Sequence, residues 1–439
     1  MIDSHELRRR DSYLNKLIGF QDTEPVKVIT GIRRCGKSSL LKLMVQHLKD
    51  TGVLPELIIE MNFESFDFHK MSADDVYRYV KERIIAGKRM YLFFDELQRI
   101  KAWEDAVNAF RVDFDCDIYV TGSNAYLLSS EYATYLSGRC VEIKMLPLSF
   151  REFLDFHGFD VRETQSALGG LRKQVFDKNN ERYELREVFA AYMRFGGMPG
   201  IADVGLEQEK VLALLDGIYS TVVIRDILER ETRRGQKQIT DPALLRKIIL
   251  FLADNIGSSV SIASIGNILV NEGLLDDDKR KGTPSAHTVQ AYVNALLESY
   301  FFYEIKRFDI KGKAYLRTLG KYYIVDIGLR NYLLGFRNRD SGHAIENVVY
   351  FELLRRGYDV AIGKIGNGEV DFIATTADEK KYIQVTESMM SEDVRKRELA
   401  PLQSIRDNYE KIVLSLEPGL DTSYDGIKSE NLIDWLLNE

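Results

Sequence analysis

The sequence predicts an α/β fold around a parallel sheet, and three segments carry that reading. Gly31-Ile32-Arg33-Arg34-Cys35-Gly36-Lys37-Ser38 has every fixed position of the phosphate-loop pattern G-x-x-x-x-G-K-[ST]. It stands between an apolar run, Val26 to Thr30, and a stretch of helical spacing, Ser39 to Val45, so the loop sits at a strand-to-helix turn. Tyr91-Leu92-Phe93-Phe94 is a second apolar run, ending in Asp95-Glu96, and Ile118-Tyr119-Val120-Thr121-Gly122-Ser123-Asn124 is a third, ending in small polar groups. Strands and helices alternate in this way over residues 1 to about 150, closing with a strand around Val141-Glu142-Ile143.

Each of these segments has a chemical reading. Gly31 and Gly36 let backbone N–H groups close around a phosphate at a helix N-terminus, and Ile32, Arg33, Arg34, Cys35 and Ser39 complete the binding loop. Lys37 reaches the terminal phosphates, and the Ser38 hydroxyl can ligate Mg²⁺. Asp95 is placed to hold the Mg²⁺ shell, and Glu96 to orient and polarise an attacking water. Ser123 or Asn124 could hydrogen-bond the water or the γ-phosphate. The loop alone fits ATP or GTP. A guanine-reading N-K-x-D is absent, and Leu136-Ser137-Gly138-Arg139, which faintly resembles a transporter signature, follows the acidic pair instead of preceding it, so adenine is favoured.

Successive signatures bring a family into view. Arg9-Arg10, Tyr13, Ile29 to Arg34, Phe94-Asp95-Glu96-Leu97-Gln98, Trp103-Glu104, Thr121 to Asn124 and Leu136 to Arg139 are the first of them. Leu146 to Phe153, Gly196-Gly197-Met198-Pro199, Arg225-Asp226 and Tyr323 to Leu329 continue the series. Together they resemble a family of prokaryotic AAA+ ATPases of largely unknown role. The resemblance implies ATP and Mg²⁺ as cofactors, a homo-oligomer that could be a ring, and Ser123 or Asn124 as the γ-phosphate sensor. It also implies that Arg139 reaches the neighbouring subunit's γ-phosphate, against the alternative of an ion-paired surface arginine. Pro199 would pack on adenine from a helical lid, and Arg194 is a second sensor candidate.

Length and composition bound the rest. At 439 residues the chain exceeds one ordinary core. No apolar stretch approaches the roughly 18 residues of a membrane span, and the first ten residues lack the apolar core of a signal peptide, so a cytoplasmic protein is expected. Cys35, Cys116 and Cys140 have no C-x-x-C spacing, which argues against a disulfide framework or structural zinc. A net charge of −7 gives no global pull toward nucleic acid.

The expected domains are an ATPase domain over 1–148, a helical lid region over 149–240, a winged helix over 241–338 and an α/β nuclease-like domain over 339–439. In the third, helices start near Asp241, Ser261 and Ser285, and a hairpin of Phe301 to Ile305 with Ala314 to Arg317 turns at Lys311-Gly312-Lys313. Thr288, Gln290, Asn294 and Glu298 would face outward from the last helix. Lys306, Arg307, Lys311, Lys313 and Arg317 are the DNA-contact candidates, through phosphates. Packing against the lid or another protein is the competing use.

The last segment places Glu346 on a helix, Asp371 on a strand and Gln384 on the next. This order resembles the restriction-endonuclease fold also found in Holliday-junction resolvases. That pattern wants Lys where this chain has Thr386, and a carboxylate where it has Gln384, so the site is expected to be degenerate and not to cleave. Lys380, Lys381 and Glu387 are the candidate substitutes. The expected function is an oligomeric DNA-associated ATPase motor or switch acting on duplex or branched DNA. A nucleotide-controlled signalling or assembly module and an ATP-dependent nuclease are the alternatives.

Overall fold

The computed structural model describes residues 7–123, 138–165, 171–229, 239–271, 284–316, 319–337, 341–366, 368–417 and 422–438. They form two compact units, one of residues 1–146 with 298–300, the other of 147–297 with 301–439.

In the first unit five parallel strands form one sheet: β1 (Val26–Thr30), β2 (Ile58–Asn62), β3 (Met90–Asp95), β4 (Cys116–Gly122) and β5 (Cys140–Lys144), ordered β2-β3-β4-β1-β5. The α/β expectation holds here. β1 and β3 are buried at every position, which is why apolar residues predominate in both without strict alternation; the one lysine of β1, Lys27, is buried in an ion pair with Asp117. The Lys37–Asp50 helix buries Leu40, Leu41, Met44 and Leu48 at helical spacing, and the Ala73–Lys81 helix starts at a reciprocal cap between Ser72 and Asp75. Register sets the site. Thr30 pairs with Gly122, Phe94 with Val120 and Asn62 with Asp95, so the carboxyl ends of four strands lie side by side.

The second unit begins with the Phe150–His157 helix, capped by Ser149 and Glu152. Within the expected helical region, whose strand signals are few, an antiparallel meander of β6 (Asp160–Gln165), β7 (Leu171–Phe176) and β8 (Arg182–Tyr183) follows. Its signal is weak because Val161 and Val175 pair across strands that are otherwise rich in charge. The Leu185–Phe195 helix then stops at Gly196, and Arg225-Asp226 falls in a π-helical stretch, Val222–Glu229.

Helices Pro242–Asp254, Ile262–Asn271 and Ala286–Glu298 pack with a three-stranded antiparallel sheet of β9 (Ser259–Val260), β10 (Phe302–Ile305) and β13 (Gly320–Ile324). The expected hairpin is re-paired. β10 joins β13, buried at every position, while exposed β12 (Ala314–Tyr315) pairs with β11 (Arg307–Asp309). Apolar β10 thus takes the apolar partner. The turn forms where expected, held by the Lys311 and Gly312 N–H groups donating to Asp309 Oδ1 at 3.0 Å each. β11 also runs parallel to β14 (Asp359–Ile365). It thereby enters an eight-stranded sheet with β15 (Gly368–Thr375), β16 (Lys380–Ser388), β17 (Glu410–Glu417), β18 (Ser423–Tyr424) and β19 (Ile427–Asn431), ordered β12-β11-β14-β15-β16-β17-β19-β18.

A buried carboxyl pins the Gly-Gly-Met-Pro segment. Asp326 caps the Ile327–Leu334 helix through Leu329 N–H at 3.1 Å and accepts from Gly197 N–H at 2.6 Å. Gly328 packs so close that a Cβ there would lie 2.0 Å from the Phe195 carbonyl oxygen. Complete burial outweighs these hydrogen bonds and raises the Asp326 pKa to about 6. Its contribution to stability is therefore complete below about pH 4 and is lost as pH rises through about 6, a change of about 3 kcal/mol. In urea unfolding, the stability of wild type minus that of Asp326→Asn should fall across this window; parallel pH profiles would show that Asp326 does not titrate there.

Candidate active site

The phosphate loop is shaped by backbone that only glycine permits at one end. Gly31 has φ 142°, and a Cβ on it would lie 2.1 Å from the Met145 carbonyl oxygen, so the chain after β1 runs hard against the segment leaving β5. Gly36, at φ 105°, is the N-cap of the Lys37–Asp50 helix, whose first N–H groups face the loop. Arg34 is exposed and left-handed at φ 65°, and Cys35 is buried. Buried Arg10 donates to the Cys35 carbonyl at 3.0 Å and to the Leu146 carbonyl at 2.8 Å, tying the loop to the chain beyond β5. Sequence reasoning found Arg10 only as part of a signature, since nothing local marks a clamp whose partners lie far along the chain.

The predicted side chains converge on this loop. Lys37 is buried and its Nζ donates to the Gly31 and Ile32 carbonyls at 2.9 and 3.1 Å. Ser38 Oγ donates to Asp95 Oδ1 at 3.0 Å, while the Asn62 amide donates to Asp95 Oδ2 at 3.0 Å and the Thr121 hydroxyl to Oδ1. Burial pushes the Asp95 pKa up against the lowering effect of the Thr121 and Ser38 hydrogen bonds. Glu96 adopts the left-handed region at φ 57°, its N–H donating to Thr121 Oγ1 at 2.9 Å. Its Oε2 accepts from Gln98 Nε2 at 2.6 Å and Ser123 Oγ at 3.3 Å, and lies 3.8 Å from Arg33 Nη2. A hydroxyl and a carboxylate this close at a helix N-terminus, beside a buried ammonium, suit Mg²⁺ and a phosphate chain.

Other candidates fall elsewhere. Asn124 lies outside the described residues. Arg139 is exposed and just precedes β5, whose first residue pairs with Val26; its carbonyl accepts from Val26 N–H at 2.9 Å. It is therefore at the amino end of the sheet, about 16 Å of strand from the loop of its own chain. Pro199 and Arg194 belong to the second unit, where Arg194 donates to Gln208 Oε1. Lys306, Lys311 and Lys313 are exposed, whereas Arg307 is mostly buried and pairs with Glu369 at 3.5 Å; Arg317 is outside the described residues.

The three residues expected of a nuclease-like site do meet. Glu346, Asp371 and Gln384 line a cavity of about 670 Å³ together with Glu369, Thr386 and Glu398. Gln384 Nε2 donates to Glu398 Oε2 at 3.0 Å, and Val385 N–H to Asp371 Oδ2 at 2.9 Å. Among the described residues no group of three His, Cys, Asp or Glu is arranged to hold a metal ion. The candidate substitutes Lys380 and Lys381 are engaged away from the cavity, the first over the Tyr382 ring at 4.8 Å and the second with Glu379 at 3.1 Å. The missing positive charge comes from elsewhere. Lys321 on β13 is 2.8 Å from Glu369 and 3.9 Å from Glu346, which also accepts from Tyr323 OH at 3.1 Å. Those carboxylates hold its ammonium above its ordinary pKa despite burial, while burial and then the Glu346 charge push Asp371 well up. The one sequence signal for Lys321 is a lysine inside an otherwise apolar run.

Residues 23–154 match the family pattern described as an AAA domain, and residues 186–340 match a domain of unknown function (DUF8612). An uncharacterized protein of Haemophilus influenzae is 39% identical over 432 residues, covering 98% of each chain. Uncharacterized protein MJ1544 of Methanocaldococcus jannaschii is 30% identical over 427 residues, 95% of this chain and 85% of that one. A Walker-type ATPase structure from Pyrococcus abyssi aligns at TM-score 0.47 and 17% identity, over 74% of this chain and 95% of that one. No helix among the described residues is long and apolar enough to cross a membrane.

Replacing Lys321 with Met should strip the cavity carboxylates of their central cation and destabilise the protein by about 3 kcal/mol at pH 7. The loss should be smaller at pH 5 than at pH 7 as Asp371, pushed up by burial and no longer lowered by the Lys321 charge, takes up its proton, which urea unfolding at the two pH values would measure. An equal loss at both would mean that lost packing, and not charge, is what Lys321 supplies.

Proposed function

The chain belongs to the family of these Haemophilus influenzae and Methanocaldococcus jannaschii proteins and carries its AAA domain, and from that premise we propose that it binds and hydrolyses ATP with Mg²⁺. The observation that carries this reading is the convergence of Lys37, Ser38, Asp95 and Glu96 on one loop, with Ser38 and Asp95 in direct hydrogen bond. The loop N–H groups and Lys37 hold the phosphates, and Ser38 and Asp95 hold the cation. Bound there, Mg²⁺ would supply charge neutralisation for the phosphates. Glu96 polarises the attacking water, and Ser123, hydrogen-bonded to Glu96, is the described candidate for the γ-phosphate sensor. Arg139, remote from the loop of its own chain, fits action on a neighbouring subunit in an oligomer.

The coupled function we propose is that of a DNA-associated motor or switch. Supporting it is the order of the 242–324 segment, helix, strand, two helices and four strands, in which β10 and β13 join β9 in one sheet, an order similar to that of a winged helix with the β11–β12 hairpin inserted between its last two strands. Exposed Lys306, Lys311 and Lys313 lie in or beside its hairpin. A protein-assembly role is the second reading, favoured by the ion pair that occupies Arg307. The nuclease-like cavity is read as non-cleaving, because Thr386 and Gln384 replace a lysine and a carboxylate.

Glu96→Gln should bind ATP near wild-type strength and slow turnover by about 10² or more, whereas Lys37→Ala should lose binding itself. Rapid turnover by the first, or unchanged ATP affinity in the second, would remove the assigned roles. Mixing Arg139→Ala with Glu96→Gln should restore some hydrolysis at interfaces with one intact half from each; no recovery would remove the trans assignment. Binding to duplex, single-stranded and branched DNA should weaken steeply with salt and with charge reversal at Lys311 and Lys313. If no DNA form binds at low salt, the protein-assembly reading replaces this one.

A further inference from the structure

Arg33 occupies a position that the phosphate-loop pattern leaves open, since backbone N–H groups make the phosphate contacts there. Its side chain is only 14% exposed and its guanidinium lies between two carboxylates, with Nη1 3.0 Å from Glu64 Oε1 and Nη2 3.8 Å from Glu96 Oε2. Glu64 follows β2 by two residues and is also bound by Arg99 Nη1 at 3.0 Å, so it is a fixed anchor for Arg33. Glu96 in this arrangement is occupied: its Oε2 already accepts from Gln98 and Ser123 and faces Arg33, so that oxygen is not open to a water.

A guanidinium fork binds carboxylate and phosphate in the same planar geometry. A terminal phosphate carries about two negative charges where each carboxylate carries one, so it is the stronger partner for a fork already beside the residue facing it. We propose that Arg33 reads the terminal phosphate: its guanidinium exchanges Glu64 and Glu96 for the γ-phosphate of ATP, which frees Glu96 to polarise water. ADP, one phosphate shorter, leaves the Arg33 pairs in place. Arg33 thus sets the preference for triphosphate over diphosphate and links it to the readiness of Glu96. This rests on the ATPase reading above.

The test is competitive titration of the full chain with a non-hydrolysable ATP analogue and with ADP. Arg33→Ala should lose about tenfold or more in affinity for the analogue, with ADP affinity changed less than about twofold, and Arg33→Lys should fall between. Glu64→Gln should move the other way, raising the analogue-to-ADP preference because the competing carboxylate is gone; a merely damaged loop would lower both affinities. Equal losses for the two nucleotides in Arg33→Ala, or a lowered preference in Glu64→Gln, would overturn the assignment. Failure of the wild-type protein to bind either nucleotide would instead overturn the ATPase reading on which it rests.

Discussion

The site at the phosphate loop depends on one hydroxyl that keeps neighbouring strands level. Thr121 on β4 donates to the Asp95 carboxylate and accepts from the Glu96 N–H, so the acidic pair at the end of β3 is fastened to the strand beside it. A one-residue slip between β3 and β4 would turn every side chain to the opposite face and carry Asp95 away from Ser38. The same fastening stabilises the left-handed backbone of Glu96, a conformation that costs energy for a residue with a side chain. Asn62 adds a hold from the other side, through Asp95 Oδ2. The acid pair is therefore fixed from both adjacent strands before any ligand is considered.

Much of this was legible because its signals are local. The phosphate loop, the apolar runs of β1, β3 and β4, and Asp95 and Glu96 are contiguous patterns whose meaning does not depend on distant chain. What escaped reading comes from far away in sequence: Arg10 bonding a carbonyl 136 residues on, Asn62 holding Asp95, and Lys321 facing Glu369 and Glu346. The meander of β6, β7 and β8 was missed because its strands are rich in charge, and the hairpin was mis-paired because burial of β13, not proximity in sequence, chose the partner of β10.

The cavity in the second unit shows how a motif can mislead when read along one strand. At Thr386 the expected cation is missing, yet a positive charge reaches the same carboxylates from β13, a strand of another sheet. Lys321 faces glutamates in the way a cation would, which keeps several carboxylates together in a largely buried place. The local arrangement is thus held by charge balance, whatever ligand chemistry the cavity has.

The parallel pairing of β11 with β14 has a mechanical meaning. Arg307, Phe308 and Asp309 share backbone hydrogen bonds with the first strand of the C-terminal segment, so the hairpin and the eight-stranded sheet are one continuous plate and not beads on a tether. Torque applied to the hairpin reaches the tail without slack. Pulling the two apart would expose two raw sheet edges, each a template for another chain.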